Sequence, residues 1–283
     1  TERIFVMIVN LKKFMLIIIC IVLCISTIFI CSAVETTEIT VKLPILMYHH
    51  LSEKQSKLNK YTVSVEEFEN DLKYIQENGY TTVGLQDIIN FVSGGKLPEK
   101  PIMITFDDGY LSVYKYAFPK LCERNMKAVV NVIGKYTQMY SNISDHNVNY
   151  AHITFEQLKE MNDSGLIEIG NHTYDLHKTT DRVGIQRKSG ESLNDYKSVI
   201  ISDLTEAQNL IKDNVGVTPI AFAYPFGKIP KDALPILKEL GFVAVFNCYE
   251  KANILTGDPE QLYHLNRVNR PQGKSAEKIL TAL

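Results

Sequence analysis

The sequence predicts an α/β protein built on a parallel sheet, and three observations predict it. Short apolar runs alternate with helix-period patterns about seven times from Leu43 onward, an arrangement that places parallel strands side by side through crossover helices. Of the 283 residues, 45% are apolar and 22% charged, the profile of a chain with a sizeable core rather than a disordered or collagen-like one. No internal repeat, low-complexity tract or composition break divides residues 43–283, which therefore read as one domain. A closed ring of such units needs roughly 200–250 residues, and this stretch suffices. Periodicity alone leaves a barrel and an open doubly wound sheet both standing.

The elements follow in order. Pro44–Tyr48 reads as the first strand. Ser64-Val65-Glu66-Glu67 is a capping-box pattern opening a helix, with Val65, Phe68, Leu72 and Ile75 on one face and Gly79 as its stop. Tyr80–Val83 reads as a strand, Leu85–Val92 as a short helix, and Ile102–Phe106 as an apolar strand ending in two aspartates. Ser112–Asn125 is helical, Ala128–Ile133 is a Val-rich strand, and Thr154–Ser164 is a helix with Thr154 and Gln157 as a second capping box. Leu166–Ile169 is a strand running into Asn171-His172. A long amphipathic stretch from Leu193 to Asn214 precedes strand Ile220–Tyr224. Helix Lys231–Leu240 stops at Gly241, strand Phe242–Phe246 follows, and Leu262–Val268 and Ser275–Leu283 are the last strand and helix.

Residues 1–33 stand apart. Lys12 and Lys13 precede an apolar run from Phe14 to Ile25 that continues to Ile30, and Cys31-Ser32-Ala33 follows. Small residues after such a run are what an export cleavage site carries. A run of roughly 17 residues sits at the lower edge for crossing a bilayer. A cleaved signal peptide and a retained N-terminal membrane anchor are both consistent with it. With Thr1 first, Met7 is a candidate start that would leave a short basic leader. Residues 34–42 read as a polar linker, and the domain is expected outside the cytoplasm, secreted or tethered to a membrane.

Composition narrows the partners. The net charge of −2 supplies no basic field for nucleic acid, so a neutral glycan or a small molecule is the easier partner; the chain is expected to be a monomer. Of the five cysteines, Cys20, Cys24 and Cys31 belong to the N-terminal segment. Cys122 and Cys248 remain, one in a helical and one in a strand pattern, and read as buried small apolar residues rather than a disulfide. With no Cys-x-x-Cys pair, a thiolate zinc site is excluded.

Polar residues at the C-terminal ends of parallel strands converge on one mouth, and three strand ends here carry unusual ones. They are Thr105-Phe106-Asp107-Asp108-Gly109, the stretch Gly170-Asn171-His172 through His177, and Ala223-Tyr224-Pro225-Phe226-Gly227. Adjacent carboxylates on a strand end point in different directions, so one can ligate a metal while its neighbour faces substrate. Two histidines and one carboxylate with open positions form a catalytic metal set. Such a metal brings the pKa of bound water to about 7, and a free carboxylate beside it can act as general base. Each motif alone also has a plain reading. Asp-Asp-Gly makes turns, and a His pair five apart is often incidental. Their joint occurrence, each after a predicted strand, points to a metal-assisted hydrolase.

Thr105-Phe106-Asp107-Asp108-Gly109 resembles the first motif of the polysaccharide deacetylases, carbohydrate esterase family four. His172-Thr173 with His177 resembles their metal-binding second motif, and Tyr224-Pro225-Phe226-Gly227 their third. Leu43–His50, the helix around Phe68, Asn78-Gly79-Tyr80 and Arg267-Val268-Asn269 are similar to a subgroup acting on poly-N-acetylglucosamine or cell-wall glycans. The likeness spans about residues 43–270. It implies a distorted (β/α) barrel with fewer than eight strands, about seven, and a glycan polymer as substrate. It also implies Asp107 as general base and Asp108, His172 and His177 as ligands of a divalent metal, usually zinc. The Phe226 N–H would stabilise the oxyanion of the tetrahedral intermediate, a contribution typically worth about 3 kcal/mol.

Three departures qualify the resemblance. The family commonly spaces its metal histidines four apart, whereas His172 and His177 are five apart. Its third motif usually carries an Arg that orients the catalytic Asp. Ala223 stands there instead, and Arg267 is the candidate to replace it. A late general-acid His has no clean counterpart, with His264 the nearest candidate. His49 and His50, at the end of the first strand, are candidates to touch substrate. Tyr110, Tyr174 and Phe226 are candidates to face sugar rings, and Tyr224 and His264 are further candidates to touch substrate. The leading function is removal of N-acetyl groups from an N-acetylglucosamine polymer. The alternatives are an O-acetyl esterase with the same site, and a non-catalytic glycan-binding relic, which the missing Arg and His would favour and an intact Asp107 opposes.

Overall fold

The computed structural model describes residues 14–21 and 40–283. Most of the expected export segment (1–33) and linker (34–42) therefore lies outside the described residues. Residues 14–21 are helical with every side chain exposed, and among the described residues no helix is long and apolar enough to cross a membrane. Residues from Thr40 to Leu283 form a compact unit of their own.

Seven strands make the ring of that unit: β1 (Ile45–Tyr48), β2 (Pro101–Phe106), β3 (Ala128–Val132), β4 (Ile167–Asn171), β5 (Ala221–Ala223), β6 (Ala244–Phe246) and β7 (Val268–Asn269). Every neighbouring pair is parallel, from β6 through β5, β4, β3 and β2 to β1 and then β7. Closure comes from the segment leading into β7. The Leu265 N–H bonds the Val245 carbonyl and the Asn247 N–H bonds the Leu265 carbonyl, while three residues on Val268 is paired with Leu46 of β1. One short stretch thus joins both edges, and the result is a distorted (β/α) barrel with seven parallel strands rather than an open sheet. Two shorter pairs decorate it. Val41–Leu43 lies antiparallel to Asn253–Leu255, and His50–Ser52 parallel to Thr62–Ser64.

Eight helices wrap the ring: α1 (Val65–Glu77), α2 (Leu85–Val92), α3 (Phe118–Glu123, preceded by a π turn over Val113–Ala117), α4 (Gly134–Ser141), α5 (Phe155–Asp163), α6 (Leu193–Val215), α7 (Ala233–Glu239) and α8 (Ala276–Ala282). The Thr154–Gln157 box at α5 is complete on both sides. At α1 the Ser64 hydroxyl accepts from the Glu67 N–H, but the Glu67 carboxylate is drawn to Gln272, Gly273 and Arg270. Half of that predicted box is therefore spent on fastening the C-terminal segment. Phe68, Leu72 and Ile75 are buried against β2 and β3 side chains including Ile102, Ile104 and Val130. Full burial of one such side chain contributes about 1.5–3 kcal/mol.

The structure departs from expectation in three places. Leu262–Val268 is a 3-10 helix, Pro259–His264, followed by the short β7, because the chain must turn from β6 toward β1 to close the ring. Gly134–Ser141 is a helix where no element was predicted; its Tyr, Thr, Gln and Met side chains show little apolar periodicity. Cys122 is exposed and Cys248 half-buried, both unpaired, so Cys122 is not the buried apolar filler expected. It sits on a short helix whose inward positions are taken by Phe118 and Leu121.

Register decides what meets at the rim. Tyr48 pairs with Phe106 and Phe106 with Val130, while Asn131 pairs with Gly170 and Asn171 with Phe222. The residues just beyond β1, β2, β4 and β5, namely His49, Asp107, His172 and Tyr224, therefore emerge at one end of the barrel.

Candidate active site

A cleft of about 750 Å³ opens at this end, and its wall includes His49, His50, Asp107, Asp108, Tyr110, His172, His177, Tyr224 and Phe226. Its floor holds the two adjacent aspartates in opposite states.

Asp107 is buried and doubly paired. The Arg267 guanidinium donates to both carboxylate oxygens at 2.6 and 2.7 Å, and the Asn131 amide donates to Oδ1 at 2.8 Å. Arg267, itself fully buried, also donates to the Asn247 carbonyl and is braced by Thr105. Burial alone would raise the Asp107 pKa, but the Arg267 charge overrides it and holds the carboxyl well below the usual carboxylate range. Gly170 makes room for this arrangement, since a Cβ there would lie 2.0 Å from the Asn131 side-chain oxygen.

Asp108 has no such cation. It occupies the left-handed region with φ 68, uncommon for a residue with a side chain, and this turns its carboxylate away from Asp107 toward the histidines. The His152 Nδ1–H donates to the Asp108 carbonyl at 2.9 Å and steadies the turn. The His152 ring lies among Tyr110, Tyr136 and Tyr140, and burial lowers its pKa to about 4, so it is neutral at pH 7. Asp108 Oδ1 lies 3.6 Å from His172 Nε2 and 3.4 Å from His177 Nε2, and this buried oxygen has no hydrogen-bond partner. Burial first, then the Asp107 charge, push the Asp108 carboxyl up to about 7.

These three side chains fit a cation. The Nδ1 atom of His172 lies 2.8 Å from the Ala223 carbonyl, which can only accept, so the proton is on Nδ1 and the Nε2 lone pair faces Asp108. Burial lowers the pKa of His172, and lowers that of His177 to about 3, with the neighbouring His172 adding to the latter effect. Both rings are therefore neutral, the form that ligates. An orphan carboxylate oxygen facing imidazole lone pairs is a mismatch in the absence of a cation. Donor atoms around a tetrahedral ion with bonds of about 2.0–2.1 Å stand about 3.3–3.4 Å apart, close to the spacing found. Among the described residues, Asp108, His172 and His177 are the group that can hold a metal ion.

Phe226 shows a further left-handed backbone, φ 57 and ψ 15, in the Pro225–Gly227 turn. The turn's hydrogen bonds are donated by Gly227 and Lys228, which leaves the Phe226 N–H outside them. Its half-exposed ring covers His177, with centroids 4.3 Å apart.

The other sequence candidates divide. His49 is in the cleft, its ring 5.0 Å from Tyr61 and its Nδ1 buried without a partner; burial lowers its pKa to about 4. His50 packs under Tyr110, centroids 4.8 Å apart, and both rings reach the wall, as does buried Tyr224. Two candidates are corrected. Tyr174 does not line the cleft; its ring lies against Gly134 and its hydroxyl bonds Gln138 of α4. His264 closes the 3-10 helix beside a separate hollow near Asn253 and Gln261, because ring closure needs Leu265 and Arg267, not His264, to face inward. Sequence reading passed over Asn131 and His152. The signal for Asn131 was a lone amide in a strand otherwise made of Ala and Val; for His152, in an irregular segment, there was none.

Comparison with known proteins now decides the family. Residues 94–245 match the profile described as polysaccharide deacetylase. The chain belongs to the polysaccharide deacetylase family. Among its relatives, a Staphylococcus aureus poly-beta-1,6-N-acetyl-D-glucosamine N-deacetylase is 28% identical over 206 residues, 73% of this chain and 67% of that one. A solved structure, the Streptococcus pyogenes deacetylase PplD in complex with acetate, is similar with a TM-score of 0.70 at 26% identity, over 85% of this chain and 97% of that one. The de-N-acetylase from Aggregatibacter actinomycetemcomitans shares the fold, with a TM-score of 0.74 at 24% identity over 86% of this chain and all of that one. The deacetylase profile covers Asp107, Asp108, His172, His177 and Phe226 but not His49 or Arg267, which the first and last strands bring to the same cleft.

Proposed function

We propose that the protein hydrolyses N-acetyl amides on an N-acetylglucosamine polymer, with Asp108, His172 and His177 holding one zinc ion and Asp107 as the general base. One observation carries the reading: a carboxylate kept anionic by a bidentate Arg stands next to a second carboxylate that faces two neutral imidazoles instead of a cation. A non-catalytic relic would have no use for the first. The cation, when bound, polarises the acetyl carbonyl and acidifies water.

The chain's own groups do the rest. Asp107 takes a proton from the attacking water, and Arg267 fixes the carboxylate's orientation and charge. The Phe226 N–H donates to the oxygen that gains charge as the acetyl carbon becomes tetrahedral. The proton is returned to the leaving nitrogen, with His49, in the cleft within electrostatic reach of Asp107, as the relay. The C–N bond then breaks, leaving a free amine on the sugar and acetate. The exposed rings of Tyr61, Tyr150 and Phe226 on the cleft wall supply faces for sugar rings. We place the activity outside the cytoplasm, with the N-terminal apolar run as export signal or tether, and the working form as a monomer.

Acetate release from poly-β-1,6-N-acetylglucosamine oligomers tests this, with an O-acetylated xylan oligomer alongside. Release from the amide that stops with chelator and returns with zinc is the expected result. Release from the ester alone would overturn the amide reading.

A further inference from the structure

The loop between the two imidazoles is tied at five consecutive backbone groups. The Thr173 N–H donates to Asn171 Oδ1 at 2.7 Å, and the Asn171 amide donates in turn to the Leu204 carbonyl of α6. The Tyr174 and Asp175 N–H groups donate to Oδ1 and Oδ2 of Asp203, each at 2.8 Å. The Thr173 and Tyr174 carbonyls accept from Gly134 and Lys135, the first N–H groups of α4, which have no partner within their own helix. Thr173 is itself left-handed at φ 76, a strained conformation for a β-branched residue that persists only where surrounding bonds enforce it. Packing is close as well. A Cβ on Gly134 would lie 3.2 Å from the Tyr174 ring and 3.4 Å from Ala207 of α6.

Asp203 spends both carboxylate oxygens on this loop, and nothing in the deacetylation chemistry touches it. We propose that Asp203 is a positioning residue of the cation site. By clamping the Tyr174 and Asp175 amides it sets the separation of His172 and His177, and so permits the five-residue spacing of this chain. The proposal rests on the reading of Asp108, His172 and His177 as cation ligands. The clamp acts on backbone, so its loss frees His177 without removing any donor atom.

The test measures zinc affinity by competition with a chromophoric chelator, together with the visible spectrum of the cobalt form. The proteins are wild type, Asp203→Ala, Asp203→Asn, Asp203→Glu and His177→Ala, each checked for fold by circular dichroism. Asp203→Ala is expected to lose about tenfold to a hundredfold in affinity and to broaden the cobalt spectrum. Asp203→Asn, which keeps one acceptor at nearly the same volume, is expected to lose less, and it decides the matter if the Ala variant does not fold. Amide hydrogen exchange at Tyr174 and Asp175 is expected to quicken in both. Folded Ala and Asn variants that bind zinc as tightly as wild type, whatever their melting temperature, would overturn the proposal. If His177→Ala also bound zinc like wild type, the ligand assignment itself would fail, an outcome distinct from failure of the clamp.

Discussion

Asp107 and Asp108 are neighbours in sequence and opposites in surroundings. On the Asp107 side of the cleft floor, Arg267 and Asn131 satisfy the carboxylate and hold its proton affinity down. On the Asp108 side, one oxygen has no partner, two imidazole nitrogens face it, and its proton affinity is pushed up. The left-handed turn at Asp108 separates the two environments within one peptide unit. The difference teaches how a site divides labour. The side completed by the protein suits the general base we propose, and the incomplete side suits the cation we propose.

Removing the incomplete side should have the largest effect. His177→Ala or Asp108→Ala is expected to abolish chelator-sensitive acetate release and to leave less than one zinc per protein by elemental analysis. Asp107→Asn leaves the ligands in place. It is expected to cut kcat by about 10²–10⁴-fold with zinc content unchanged, so metal analysis and kinetics together separate the two carboxylates.

Arg267→Met attacks the contrast from the other partner. Leaving Asp107 buried and unpaired is expected to cost about 3–5 kcal/mol in chemical denaturation and to lower activity. The folded Asp107 pKa lies below its unfolded value of about 3.9, so the pair's contribution is fully present above that value. It is lost as pH falls through the folded pKa. In the variant, burial without the cation raises the Asp107 pKa, so the variant loses stability as pH rises above about 4 while wild type does not, and the gap should widen from pH 4 toward pH 8. A gap that stayed the same from pH 4 to pH 8 would mean that Arg267 is not what holds Asp107 anionic.

Gly170→Ala sharpens the same side with a single methyl. The new carbon meets the Asn131 oxygen, so Asn131 should be displaced from Asp107, with about 1–3 kcal/mol of stability lost and kcat lowered at unchanged zinc content. The smallest effect concerns Phe226. Phe226→Gly keeps the N–H and relieves a left-handed conformation, so zinc binding should be unchanged and stability shifted by only about 1 kcal/mol. A complete loss of activity would show that the ring, not the amide, does the work.

Much of the barrel was legible because its elements follow local rules. The Thr154–Gln157 box, the amphipathic run from Leu193 to Asn214, and the Val-rich β3 form as their patterns require. What could not be read depends on distant partners. The Pro259–His264 helix and the short β7 exist to carry the chain from β6 to β1, and α4 is stabilised by the loop carbonyls at its N-terminus rather than by an apolar stripe. The site divides the same way. Asp107, Asp108, His172 and His177 sit in short motifs at strand ends, whereas the Arg267–Asp107 pair spans 160 residues of sequence, and Arg267 could be named only as the candidate to replace the Arg missing at Ala223. Tyr174 and His264 had suitable chemistry near the motifs but face elsewhere, and Asn131, His152 and Asp203 act through other residues, which leaves no mark on the motif itself.

Anomalous diffraction at the zinc edge, from crystals of the protein grown with zinc, tests the division most directly. The account predicts a single strong peak bonded by Asp108, His172 and His177, with both Asp107 oxygens still on Arg267. A peak ligated by Asp107, or none between the two histidines, would contradict it.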